Sequence, residues 1–136
     1  MYEIFEHTAD LGLRVRAADL PRLFEEAGQA LSSVLCENPS AIEPREDFEI
    51  DVAADRPDEL LHDWLDELLY CFNVKKLLFA KFAVTVDDRG LRAVLRGGPI
   101  DRQRHTLGVE VKAITYHALK VERLDDAWLA EVIVDI

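Results

Sequence analysis

The most constraining feature of this 136-residue sequence is that its hydrophobic period changes twice from two residues to between three and four. Apolar and polar side chains alternate over residues 11–17 and 47–53, a pattern that is typical of half-buried strands. Each stretch leads into a segment, residues 20–35 or 60–72, whose apolar residues recur at helical spacing. The pattern predicts two amphipathic helices that pack against β-structure.

The entries to the two predicted helices are similar. In the pentapeptides 17–21 and 53–57, an Asp is followed two residues later by Pro, as expected for an N-cap and the first turn of a helix. Asp19 is the candidate N-cap of the first helix. The pentapeptides lie 36 residues apart, which is consistent with an internal strand–helix duplication.

Most of the remaining chain is predicted to be β-structure. A hairpin turn is expected at residues 87–90, and Gly97-Gly98-Pro99 is expected to interrupt the chain. We therefore predict a single α+β domain, residues 1–136, in which a mixed, largely antiparallel sheet packs against two main helices. The further predicted strands span residues 2–6, 79–86, 91–96, 109–115, 117–123 and 127–134.

Composition and charge argue against nucleic-acid binding over the whole surface and against a membrane-spanning protein. The formal net charge is −11, and residues 1–70 hold 18 acidic against 5 basic residues, which disfavours binding of nucleic acid over the whole surface. The acidic half either faces a metal ion or a basic partner, or it forms a solvated surface. The chain opens without a signal-peptide pattern and has no apolar run long enough for a membrane span, which predicts a cytoplasmic protein without a membrane partner.

Familiar catalytic motifs are absent from the sequence. It contains no P-loop, GxGxxG, GxSxG or HExxH pattern, and its four histidines lack zinc-ligand spacing. Cys36 and Cys71 lie near the ends of apolar helical patterns, where a buried thiol is the usual role. These features favour a binding or accessory protein over an enzyme.

Carboxylates at two places in the chain are candidates for a metal site. Asp10 closes the polar turn that begins at His7, and the chain ends on an apolar strand with Asp135 and the α-carboxylate of Ile136. If this last strand lies beside the first, the three carboxylates meet, and a cation between them would offset their repulsion. An oxygen-only ligand set favours Ca²⁺ or Mg²⁺. The alternative is that Asp10 caps its turn and Asp135 is merely exposed.

Four motifs resemble those of the archease family. His7-Thr8-Ala9-Asp10, with Gly12 after it, resembles the opening HTAD motif, and residues 60–69 resemble the LLxxWLxELL helix. Residues 104–117 resemble the RHxLGxEVKAxTYH block, and residues 132–136 resemble the terminal VIxDI. The motifs come in the family's order and span the whole chain.

The resemblance implies a function that composition does not reveal. Archeases are accessory proteins, not enzymes, that activate RtcB-type RNA ligases in tRNA splicing and RNA repair. Those ligases join a 2′,3′-cyclic phosphate or 3′-phosphate RNA end to a 5′-hydroxyl end, through a ligase–histidine–GMP intermediate made from GTP, and they use Mn²⁺. Archease promotes guanylylation and multiple turnover, so tRNA is expected to be a partner only through the ligase.

The resemblance also implies which residues act. The family's metal, seen as Ca²⁺, is expected at Asp10, Asp135 and Ile136, with Mg²⁺ or Mn²⁺ as alternatives. Lys112 is a candidate contact to the ligase or its nucleotide, and the alternative is an exposed strand lysine.

Several other residues and functions stay open at this point. Three histidines either line the pocket of the proposed metal site or bond to backbone in a structural role. Two arginines either contact RNA or lie on an exposed hairpin face. An RNA-methyltransferase chaperone or specificity modulator and a small metal-dependent hydrolase are the competing functions. The residues concerned are His7, His105 and His117, and Arg102 and Arg104.

Overall fold

The computed structural model describes residues 1–136 and confirms the α+β class. Two long helices, α1 (Leu20–Leu35) and α2 (Pro57–Asn73), lie among eight strands. A 3₁₀ turn, Pro39–Ala41, follows α1. The strands are β1 (Tyr2–His7), β2 (Asp10–Ala17), β3 (Glu46–Val52), β4 (Leu77–Asp87), β5 (Gly90–Pro99), β6 (Ala113–Ile114), β7 (Lys120–Arg123) and β8 (Trp128–Asp135).

The strands form two antiparallel sheets. The five-stranded sheet has the order β1-β2-β8-β6, with β7 also paired to β8, and the three-stranded sheet has the order β3-β5-β4. Every pairing is antiparallel, so the expectation of largely antiparallel structure is confirmed, whereas the expectation of one mixed sheet is wrong. The helix α1 packs against β2 of one sheet and β4 of the other, and so joins the two sheets.

The two helices meet in the core. α1 begins where the sequence predicts, since the Asp19 carboxylate accepts the N–H of Arg22 at 2.9 Å. Trp64 of α2 is fully buried, and its indole N–H donates to the carbonyl of Phe24 in α1 at 2.9 Å. This bond satisfies the one polar atom of the Trp64 side chain inside the core. No helix has the length and apolar character needed to cross a membrane.

The predicted interruption at Gly97-Gly98-Pro99 is wrong, because β5 continues through Pro99. Gly97 lets β5 pass close to β4: a Cβ built on it would lie 2.0 Å from the carbonyl oxygen of Leu78. The pairing of β4 is irregular at the same level, between Phe79 and Lys81. The glycine therefore marks a close backbone approach within a strand and not the end of one.

The strand predicted over residues 109–115 is largely wrong, since only the two residues of β6 pair within it. The segment before β6 bonds to the end of α1 instead. The N–H groups of Gly108 and Val109 donate to the carbonyls of Leu35 and Val34, at 2.9 and 3.0 Å. These bonds satisfy carbonyls that the last turn of a helix leaves without an internal partner.

The strand predicted over residues 117–123 is shortened to β7. A turn precedes it, in which the N–H of Leu119 donates to the carbonyl of Tyr116 at 3.3 Å and Ala118 has a φ of 52°. The left-handed backbone at Ala118 is incompatible with an extended strand. The turn places His117 at the surface beside β1.

The internal duplication is not confirmed. α1 is capped by Asp19, whereas α2 has Arg56 at its N-cap with no side-chain capping bond. The strands before the two helices also differ, because β2 is an inner strand of the five-stranded sheet and β3 is an edge of the other. Similar pentapeptides thus enter their helices in different ways.

Candidate functional site

The pairing of three strands brings the predicted site residues to one end of the five-stranded sheet. In the β1–β2 pair, His7 lies opposite Asp10. In the β2–β8 pair, Leu11 and Val134 are the last paired residues at this end, and Asp10 and Asp135 are the next residues along the two strands. Directly opposed residues share one face of an antiparallel sheet. The last strand therefore lies beside β2, which Asp10 begins, and not beside β1.

We call this end of the sheet, with Asp10, Asp135 and Ile136, the acidic end. A two-residue hairpin loop leads into it, and both of its residues have left-handed backbone, with φ of 32° at Thr8 and 69° at Ala9. Such loops usually use Asn and Gly, and a β-branched residue at positive φ is strained. The paired strands hold this loop in place, and the loop fixes Asp10 at the first position of β2.

The side chains of Asp10 and Asp135 have no cationic partner within the protein. Neither carboxylate takes part in any ion pair. Like charges at opposed positions of a sheet repel each other. The His, Cys, Asp and Glu side chains form no group of three that could hold a metal ion. A metal site here would need a further ligand, and the sequence points to the α-carboxylate of Ile136 as the candidate.

A buried nitrogen atom of His7 lacks a hydrogen-bond partner at the acidic end, and this bears on whether a cation could bind there. The Nδ1 atom of His7 is the only buried side-chain nitrogen or oxygen without a hydrogen-bond partner. Such an atom costs about 1–3 kcal/mol when it stays unpaired. It lies on the residue opposite Asp10, next to carboxylates without cations. The donor set and the unpaired nitrogen both fit a site that a hard cation and its water ligands would complete.

Lys112 lies beside the acidic end. Its backbone N–H donates to the carbonyl oxygen of Asp135 at 2.7 Å, and its side chain is exposed. The ammonium group takes part in no ion pair. A positive charge is thus available next to the carboxylates without being committed to any of them.

His105 and Arg104 lie at another place and have structural partners. His105 is 8% exposed, and its Nδ1 accepts the N–H of Asp101 at 3.0 Å. Arg104 forms an ion pair with Glu43, which raises the pKa of the arginine and, together with Arg45, lowers the pKa of Glu43. The structure therefore separates these two residues from the acidic end.

Sequence reasoning missed a contact between two of the quoted motifs. The imidazole of His62 in α2 stacks on the ring of Tyr116, with centroids 3.9 Å apart and planes 13° from parallel. Its Nε2 lies 3.1 Å from the carbonyl oxygen of Ile114, and its Nδ1 lies 2.9 Å from a carboxylate oxygen of Asp63. The apolar spacing of α2 signals burial near His62, but nothing local in the sequence identifies its partners.

The fold and the acidic end together define a small α+β protein with a candidate oxygen-ligand site at one end of an antiparallel sheet. The model of the archease protein family matches residues 2–136, and the chain belongs to this family. The resemblance stated from the motifs is therefore confirmed.

Curated relatives match the chain over almost its full length. The archease of Methanopyrus kandleri is 42% identical to it over 139 residues, which cover 99% of both proteins. The archease of Pyrococcus furiosus is 37% identical over 140 residues, covering 99% of this chain and 98% of the relative.

Two solved structures share the fold. The solution structure of Methanobacterium thermoautotrophicum protein 1598 superposes with a TM-score of 0.86 at 34% identity, covering 99% of this chain and 98% of that one. A Thermotoga maritima crystal structure, described as an archease and possible chaperone, gives a TM-score of 0.71 at 23% identity, covering 100% of this chain and 98% of that one. At that identity the second likeness shows the fold alone.

Proposed function

We propose that this protein is a metal-binding accessory factor that activates an RtcB-type RNA ligase in tRNA splicing and RNA repair, and that it acts in the cytoplasm. The observation that supports this most is the position of Asp10 and Asp135 at the neighbouring ends of β2 and β8, in a member of the archease family. Their side chains lack cationic partners within the protein, which suits a site that functions with an added ion.

The chain's own residues divide the work at the acidic end. Asp10, Asp135 and the Ile136 α-carboxylate would hold the cation, for which Ca²⁺ is the first candidate and Mg²⁺ or Mn²⁺ are alternatives. When bound, the cation would supply concentrated positive charge at the surface. Lys112 would add a second charge and contact the nucleotide or its binding region on the ligase.

The proposed step is guanylylation of the ligase and not RNA sealing. This chain has no nucleotide-binding loop and no activated nucleophile of its own. Both cysteines are buried, and burial raises the pKa of the Cys71 thiol, which lowers its thiolate fraction. The protein should therefore assist nucleotidyl transfer without carrying GMP itself.

Single-turnover assays with the ligase test this proposal. One reaction starts from free ligase with GTP, and the other starts from preformed ligase–GMP. We expect this protein to accelerate formation of the adduct and to have a smaller effect on the second reaction. Equal acceleration of both would place its action at sealing or product release and would contradict the proposal.

A chaperone role is the second candidate, and the Thermotoga maritima protein that shares this fold is described as a possible chaperone. An RNA-modifying methyltransferase is the client that we would test. Affinity capture of the tagged protein should recover the ligase if the first proposal holds, and the methyltransferase if the second holds. Turnover of nucleotides or phosphoesters by the pure protein would instead favour a metal-dependent hydrolase.

A further inference from the structure

The buried imidazole of His62 joins α2 to the segment that holds the last strand. His62 is 9% exposed, whereas Tyr116, on which it stacks, is 64% exposed. The Nε2 of His62 faces the carbonyl oxygen of Ile114, which belongs to β6. A carbonyl oxygen only accepts hydrogen bonds, so Nε2 carries the proton and donates it.

β6 is the neighbour of the last strand on the side away from β2. Ala113 lies opposite Asp135, and Ile114 lies opposite Val134. β6 contains only these two residues, so its own ladder offers few hydrogen bonds. Contacts beyond this short ladder therefore contribute to its position.

The bonds around β6 reach the acidic end directly. The N–H of Lys112 donates to the carbonyl of Asp135 at 2.7 Å. The N–H and the hydroxyl of Thr115 both donate to the carbonyl of Ile133, at 3.1 and 2.8 Å. A shift of β6 would thus move the backbone of Asp135 and the proposed ligands on Asp135 and Ile136.

We infer that His62 is a positioning residue for the acidic end: its hydrogen bond to Ile114 and its stacking on Tyr116 fix β6, and β6 fixes the carboxylates of Asp135 and Ile136 opposite Asp10. The inference rests on the proposed metal site for its functional consequence. Its structural part, the hold of His62 on β6, stands on the contacts alone. The ring acts through β6 and touches neither the cation nor the nucleotide.

Two variants of His62 separate the hydrogen bond from simple burial. His62→Gln places an amide N–H₂ where Nε2 lies and keeps a donor for Ile114. His62→Leu fills a similar volume and has no donor. We expect the Leu variant to lose about tenfold or more in Ca²⁺ affinity by calorimetry, as when other groups that orient metal ligands are removed. The Gln variant should fall between the wild type and the Leu variant, because it keeps a donor for Ile114 but loses the ring that stacks on Tyr116.

Amide hydrogen exchange in the metal-free protein gives a readout that does not depend on activity. In His62→Leu, the amides of Lys112 and Thr115 should exchange faster, because their bonds to β8 are loosened. The amide of Ala93, in the other sheet, should be unchanged and reports global stability. If the Leu variant does not fold, Tyr116→Ala changes only an exposed side chain and should loosen the same two amides.

Three results would overturn the inference. The first is unchanged exchange of the Lys112 and Thr115 amides in a folded His62→Leu variant. If His62→Leu does not fold, unchanged exchange in Tyr116→Ala counts in its place. The second is a Gln variant that loses as much as the Leu variant, since the hydrogen bond would then not matter. The third is unchanged Ca²⁺ affinity in the Leu variant despite faster exchange. A wild-type protein that binds no Ca²⁺ would instead refute the proposed metal site, and the exchange data would still decide the role of His62.

Discussion

The imidazole rings of His7 and His117 lie 5.4 Å apart, with their planes tilted by 57°, although the two residues belong to opposite ends of the sequence. His7 ends β1 directly opposite Asp10, and His117 lies in the turn after β6. Their contact brings the opening motif and the last residue of the 104–117 block together. If both belong to the proposed site, a change in either should affect the same function.

Asp10 and Asp135 should behave as one site. We expect Asp10→Ala and Asp135→Ala each to weaken Ca²⁺ binding and abolish ligase activation while the fold survives, because hard cations need several oxygen ligands at once. The double variant should cost little more than either single one, departing from additivity by about 0.5–3 kcal/mol. Calorimetry on the three variants measures this.

Asp126→Ala is the matched control for these carboxylates. It removes one negative charge from an exposed turn away from the acidic end. Ca²⁺ binding by this variant should equal that of the wild type. Additive losses in the Asp10 and Asp135 variants would show that the two carboxylates act independently.

An extension at the C-terminus should impair activation. Residues added after Ile136 replace its α-carboxylate with an amide and lead the chain through the proposed site. An extension at the N-terminus should be harmless, because the Met1 ammonium group forms only an ion pair with Glu26 and a bond to the Arg16 carbonyl at an exposed position. Ligation assays on both tagged forms compare them, and equal activity would exclude the α-carboxylate as a ligand that matters.

Lys112 should act on adduct formation and not on stability. Lys112→Ala should slow ligase guanylylation by about tenfold, which corresponds to ~1.4 kcal/mol of transition-state stabilisation. The free energy of unfolding should change by less than about 0.5 kcal/mol, since the side chain is exposed. Lys112→Arg keeps the charge and should recover most of the rate. A normal guanylylation rate with Lys112→Ala would show that Lys112 is an exposed strand lysine without a role in this step.

Local features of the fold could be predicted from the sequence, and long-range ones could not. The N-cap at Asp19 and the apolar faces of both helices depend on residues within a few positions of each other, and the structure confirms them. The division into two sheets depends on which strands pair, and no local pattern encodes that choice. Gly97 illustrates the difference, because the same residue signals a break locally but serves a close approach to β4.

The site shows the same limit. The sequence placed Asp10, Asp135 and Ile136 together only on the condition that the last strand lies beside the first, whereas β8 pairs with β2, the strand that Asp10 begins. Their role as metal ligands remains a prediction. The contact of His62 with Ile114 joins residues 52 positions apart, and only the tertiary structure reveals it.

Glu131 should give the protein part of its resistance to acid. It lies in a row of alternating charges across four strands, in which Glu3, Arg14, Glu131 and Lys120 are direct neighbours. Burial by itself would raise the pKa of Glu131, but hydrogen bonds from Lys120, at 3.0 Å, and from Arg14, at 2.6 Å, outweigh it and lower the pKa. The folded state therefore holds its proton less tightly than the unfolded state does.

A carboxyl group with a lowered pKa in the folded state stabilises the fold above its unfolded pKa, and this contribution is lost as the pH falls through the folded value. The pKa of Glu131 in the unfolded state is near 4.5, so the loss of this stabilisation should begin below about pH 4.5.

Glu131→Gln should lower the free energy of unfolding by about 1–2 kcal/mol at pH 7. As the pH falls from 4.5 to the acid transition, the free energy of unfolding should decrease less in this variant than in the wild type. Urea unfolding of both proteins at pH 7 and at several acidic pH values measures the difference, with Glu49→Gln, at an exposed residue of β3 in the other sheet, as the control. Parallel pH profiles for the wild type and Glu131→Gln would mean that Glu131 has no such role.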